Sequence, residues 1–278
     1  MNRSRIEKTI ITTALALAAL AASVPSALAS GDVIGESGGA MSAGRTQASY
    51  GALVTETTLG DFVADAMKSA AGTDIAIEVG GNLATGLPAG DITADDARAV
   101  FAYDADVAVV ELTMPELFAV MEQAVGKTSI DAAEKIDPDS GSAEFPQVSG
   151  FSFSYDVSQI EGKRIRNIVL GSGEKLSEGG TGTVTAALPE NMFSGDAAFS
   201  ALKGAERTRV CTESEALIKY ISGTGGEIER PSLGRMSVVG TADSSIYNNW
   251  HIGRYLPYIV LAVLIFALPA KLRKKVRD

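Results

Sequence analysis

Histidine, cysteine and tryptophan each occur once in 278 residues. The one cysteine, Cys211, cannot close an intrachain disulfide, whatever compartment the chain occupies. The one histidine, His251, cannot supply the several imidazoles that a dinuclear hydrolytic metal centre draws on. It also leaves no room for a Ser-His-Asp set elsewhere in the chain. His251 stands beside the last apolar segment, where it reads as a headgroup-level side chain. Positive charge is scarce as well, with 24 Lys and Arg against 34 Asp and Glu, a net −10. A nucleic-acid partner needs a basic face, and this balance argues against one.

What basic charge there is gathers at the two ends. Arg3, Arg5 and Lys8 precede an apolar run from Ile10 to Val24 and a small-residue cleavage site at Ala27-Leu28-Ala29, so residues 1–29 read as a secretory signal. Near the other end Leu256 to Ala270 carries no charge. As a helix these 15 residues span ~23 Å, against a hydrocarbon core of ~30 Å. Trp250, Ile252 and Tyr255 upstream and Lys271 downstream extend it. A transmembrane helix is expected over 251–272, with a basic tail, 273–278, that the positive-inside rule places in the cytoplasm. The signal carries +2 and the stretch from Lys271 to the end +4, which leaves −16 on the part between them. That field is a poor one for attracting free phosphates.

Residues 30–51 are rich in Gly, Ser and Ala, with few large apolar side chains, and read as a flexible linker. Order is expected from 52 to 225, followed by a juxtamembrane linker over 226–250. Leu59, Phe62, Val63, Ala66 and Met67 recur at helical spacing behind a Thr57 or Thr58 cap. Ile75-Ala76-Ile77 reads as a buried strand emptying into Gly80-Gly81-Asn82. Thr93 then caps a short acidic helix, and Val107 to Leu112 forms a second strand. Pro115 to Val125 is helical, Gly126 to Glu144 an acidic surface loop, and Phe151, Phe153 and Tyr155 alternate with serines along a strand. Arg164 to Leu170 and Thr183 to Leu188 add strands, and Glu213 to Ile221 a last helix. The pattern is mixed α+β.

Thr73 to Thr113 carries a specific pattern: an apolar strand, a glycine turn, LPAGDIT, and a strand ending in ELT. It resembles the C-terminal domain of the 5'-nucleotidase family, whose motif is close to NGGGIRxxLPAGDIT followed by PFGN and an apolar strand. Gly80, Gly81, Leu87 to Thr93 and Glu111 to Thr113 fall on matching positions. Glu56 to Met67 resembles the family's E-x-x-LGNLxADAM helix, with Asp61 in place of Asn, and Val148-Ser149-Gly150 also matches. The departures are polar. The family's Asn falls on Val79, its third Gly on Asn82, its Arg on Ala84, and its PFGN on Ala102, Tyr103, Asp104 and Ala105.

The resemblance implies a mixed sheet with packed helices and a nucleoside or nucleotide ligand. Tyr103 would stack on the base and Gly80, Gly81 and Asn82 would line the pocket. A second stacking aromatic would come from Asn191 to Phe199, where Gly195-Asp196 marks the family's turn; Phe193 and Phe199 are the candidates. Family members hydrolyse phosphate esters on a separate metallophosphoesterase domain. The expectation here is a stand-alone, membrane-tethered domain that is not catalytic alone, without a cofactor, and able to partner a separate metallophosphoesterase chain. An interaction domain with a lost pocket is the alternative. Asp91, Asp95, Asp96, Asp104 and Asp106 form a carboxylate cluster, but their spacing does not fit an EF-hand loop, and caps and solvated turns account for them. The topology is directly testable. Protease added to spheroplasts is expected to remove the domain and leave a small basic fragment, whereas full protection would reverse the orientation.

Overall fold

A computed structural model of the chain describes residues 31–46, 49–194 and 199–241. The expected signal, Gly195-Asp196, His251, the membrane segment and the basic tail lie outside the described residues. Among the described residues no helix is long and apolar enough to cross a membrane.

A five-stranded mixed sheet stands at the centre, in the order β12 (Arg207–Thr212), β6 (Asp106–Thr113), β11 (Thr183–Pro189), β4 (Ile75–Val79) and β7 (Pro146–Ser149). β11 and β4 run parallel and the other neighbours antiparallel. Both faces of the sheet are covered, so β4 is buried along its whole length. On one face Ile75, Ile77, Val110 and Val184 meet helix α3 (Met114–Ala124) and the aromatics Phe151, Phe153 and Tyr155. Those aromatics lie on β8 (Phe151–Asp156), within a second sheet of order β10 (Lys175–Leu176), β9 (Ile165–Leu170), β8 and β14 (Met236–Val239). Phe153 and Tyr155 stack at 6.0 Å between ring centroids, and all three rings are buried, as their alternation with serines requires.

On the other face Ala76 and Ala187 leave room for helix α1 (Thr58–Ala71) and helix α4 (Glu213–Gly223). Helix α2 (Ala94–Ala99) starts from a capping box between Thr93 and Asp96, and α4 from one between Thr212 and Glu215. The architecture is α+β, as the sequence pattern implies.

The glycine-rich stretch 30–51 differs from its expected flexibility. Strand β1 (Val33–Ser37) pairs antiparallel with β5 (Gly90–Thr93) and parallel with β13 (Glu227–Ile228). Ile34, Met41 and Ala43 are buried. A short two-stranded pair, β2 (Arg45–Thr46) and β3 (Ser49–Tyr50), follows. The small residues permit close approach: a Cβ on Gly35 would stand 2.6 Å from Ile221 Cγ2 on α4. The stretch 226–250 likewise contributes β13 and β14, so ordered structure runs past both expected domain boundaries.

The segment leading into β14 is fastened to α1 by charge. Arg235 forks onto Asp65 at 2.7 Å and donates to the Val148 carbonyl, while Glu56 accepts the Gly234 and Arg235 amides. Asp61 stands behind this fork, fully buried, with the Arg235 guanidinium 3.5 Å away. Burial pushes its carboxyl up to about 9, against the pull of Arg235, and the Glu56 carboxylate adds to the rise. Asp61 is therefore neutral at pH 7 and has the shape of the Asn that the resemblance places there. Its folded value exceeds its unfolded one, so stability is full below about 4 and falls as pH rises toward 9. Asp61→Asn is expected to raise the thermal midpoint at about pH 8 by roughly 3 °C, near 1 kcal/mol for a domain of this size. The gain should vanish near pH 4; calorimetry across that range checks both the sign and the window.

Candidate functional site

The motif residues collect at one end of the central sheet. Val107 pairs with Pro189, so the loop entering β6 and the segment leaving β11 emerge side by side. The first carries Tyr103, and the second carries Phe193 just beyond a 3-10 turn, Glu190–Met192. Thr212 pairs with Asp106, which brings the start of α4 to the same edge.

The glycine turn reaches this end from β4. Its amides are already occupied: Gly80 N–H donates to Phe145 O at 2.7 Å and Gly81 N–H to Ala143 O at 2.9 Å. A Cβ at Gly80 would lie 1.8 Å from the Ala52 carbonyl oxygen, and one at Gly81 2.5 Å from the Ala143 Cβ. Backbone-to-backbone packing, rather than approach to a ligand, thus requires glycine at both positions. Ala84, where the resemblance expects Arg, gives its N–H to Val100 O at 2.7 Å.

Asn82 is buried and turns inward. Its Nδ2 donates to Glu213 Oε2 at 2.5 Å, and its backbone carbonyl accepts the Ala102 amide at 2.8 Å. Glu213, also fully buried, accepts the Ala105 amide at 2.8 Å and returns its own N–H to the Ala105 carbonyl at 3.0 Å. Asp104 sits in the left-handed region at φ 41° and caps α4, accepting Ser214 N–H and Ser214 Oγ at 2.8 Å each. The loop is thus pinned on both sides of Tyr103, a residue 78% exposed. The pinning holds the backbone that presents the ring, so stacking a flat ligand on it costs little ordering of the loop.

Phe193 lies differently. It is buried, and the Arg207 guanidinium covers its ring 4.5 Å from the centroid, held there by Glu190. Phe199 is a core side chain. Of the predicted site residues, then, Tyr103 presents a free surface, while Gly80, Gly81, Asn82 and Phe193 are packed. The carboxylate cluster is dispersed among local tasks: Asp96 and Asp104 cap helices, Asp95 pairs with Arg98, and Asp106 pairs with Arg209. Among the described residues no group of three His, Cys, Asp or Glu could hold a metal ion. Surface concavities of about 480, 370 and 530 Å³ lie elsewhere among the described residues, at Arg230, between α1 and α4, and at Glu122.

The model of the 5'-nucleotidase, C-terminal domain, matches residues 33–203. The chain belongs to this family. The 5'-nucleotidase precursor of Thermus thermophilus is similar in structure, with TM-score 0.63 and 21% identity over 84% of this chain and 43% of that one. The NAD nucleotidase of Haemophilus influenzae has TM-score 0.61 and 15% identity over 86% and 42%. A trifunctional nucleotide phosphoesterase, YfkN of Bacillus subtilis, is 30% identical over 128 residues, 44% of this chain and 8% of that protein. The chain thus spans less than half the length of each of these relatives. The family match begins at Val33, the first residue of β1, in agreement with the ordered lead-in.

Glu78 and Glu213 were not singled out from the sequence. The signal was a Glu inside an otherwise apolar strand, Ile75–Val79, where a charge has no solvent. Asp104 supports the Tyr103 loop both by its cap and by tolerating positive φ. Asp104→Ala removes its two hydrogen bonds to Ser214 in the first turn of α4 and strains the backbone, and is expected to cost about 1–3 kcal/mol. Asp104→Asn, which accepts both demands, should cost less than about 1 kcal/mol. Urea unfolding distinguishes the two.

Proposed function

We propose that this 5'-nucleotidase C-terminal domain recognises the base of a nucleoside by stacking on Tyr103, and does so without hydrolysing its ligand alone. The observation that carries the reading is the exposed Tyr103 ring on a loop pinned by Asn82, Asp104 and Glu213. Base stacking contributes about 1–3 kcal/mol and needs no charge. The donors that would serve a phosphate are spent: the Gly80, Gly81 and Ala84 amides each meet a backbone carbonyl. Arg207 and Arg209, at the same end of the sheet, are neutralised by Glu190 and Asp106. With −16 on the part between signal and tail, a phosphate meets net repulsion.

The domain is tethered to the membrane from the extracytoplasmic side in this reading. Its support is the uncharged run Leu256 to Ala270 and the basic tail beyond it. Relatives of which it spans less than half carry names of nucleotide hydrolases, which supports a role in nucleotide breakdown beside a separate metallophosphoesterase chain. A second reading, an interaction domain without a pocket, is favoured by one observation: Arg207 covers the ring of Phe193, so only one stacking face is free.

Isothermal calorimetry tests the choice. Adenosine is expected to bind weakly and more tightly than AMP, with Tyr103→Ala abolishing the heat while leaving the thermal midpoint unchanged. AMP at least about tenfold tighter, a difference near 1.4 kcal/mol, would contradict the stacking account. Silence from both ligands would favour the interaction domain.

A further inference from the structure

Glu78 points from β4 toward the start of α4, where Glu213 stands. Both carboxyls are fully buried and within hydrogen-bonding reach of each other. Glu78 Oε1 accepts the Val79 amide at 2.7 Å, and Glu213 Oε2 accepts Asn82 Nδ2 and the Ala105 amide. That leaves one oxygen on each, Glu78 Oε2 and Glu213 Oε1, buried without a donor. Two neighbouring buried carboxylates, each with a bare oxygen, are not a stable arrangement. One proton between them satisfies both oxygens at once.

We propose that Glu78 and Glu213 share this single proton, and that it latches the Tyr103 loop: when the pair gives it up, the two carboxylates repel and the loop loosens. Glu213 already accepts two N–H donors, which favours its charged form, so the proton resides on Glu78 and is donated to Glu213. Asp104, on the loop itself, faces the pair with a negative charge and opposes ionisation. Asn82, from the glycine turn, donates its amide to Glu213. Burial holds Glu78 well above the usual carboxylate range and raises Glu213 as well. Both folded values are raised. The latch is therefore whole in acid and is lost as pH rises through the alkaline range. The loop it holds is the one that presents Tyr103, so the proposal extends the stacking reading; the latch itself is measured without ligand, and its failure would leave that reading standing.

The test is amide hydrogen exchange of the full-length chain from about pH 6 to about pH 9, corrected for intrinsic rates. In the wild type the protection of Ala102 and Ala105 is expected to fall at least about tenfold across that range. In Glu78→Gln, whose side-chain amide donates to Glu213 and cannot ionise, it should stay constant. Equal pH dependence in both proteins, or none in the wild type, would overturn the proposal. Carboxyl 13C titration of the wild type decides the matter should the variant fail to fold: one neutral carboxyl in the pair at pH 7 supports the shared proton, and two ionised ones refute it.

Discussion

Glu78 comes from β4, an inner strand of the central sheet, and Glu213 from the first turn of a helix 135 residues later in the chain, and they meet where no water reaches. Charge cannot persist unpaired in such a place, so the geometry around the pair is over-determined. Asn82 must turn inward to donate, Ala105 must present its amide, and Asp104 must take a positive φ to cap α4. Each condition fixes one residue of the loop beside Tyr103. The exposed ring is the residue left over once its neighbours are committed to the interior.

The same economy explains why the family's sequence signature and its ligand chemistry separate in this chain. Gly80 and Gly81 fit because two backbones touch there, at Ala52 and Ala143, a demand that exists with or without a ligand. A motif kept for packing remains recognisable after its polar groups have changed. The Arg and Asn of the resemblance fall on Ala84 and Ala105, whose backbone groups still serve the fold while their side chains offer nothing to a phosphate.

Much of the fold was legible because it rests on local rules. The helices at Thr58 and Ala94 follow from cap residues and apolar spacing, and β8 follows from aromatics alternating with serines. The edges were not legible. β1 is built from small residues that look like a linker, and it is a strand only because Ile221 on α4 accepts a bare backbone at Gly35. β12 is an exposed edge with a bulge after Arg209, and its sequence carries no alternation. In the site, Tyr103 was visible as an aromatic in a polar loop. The burial of Phe193 under Arg207 was not, because it depends on a contact between residues 14 apart on separate elements.

The role of Tyr103 depends on its loop being held in one conformation. Backbone 15N relaxation of the ligand-free domain measures this on the ps–ns timescale. Order parameters near 0.85 for Ala102, Tyr103, Asp104 and Ala105, equal to those of the central strands, are what a pinned platform requires. Values below about 0.6 across the same residues would show a mobile loop and contradict the account.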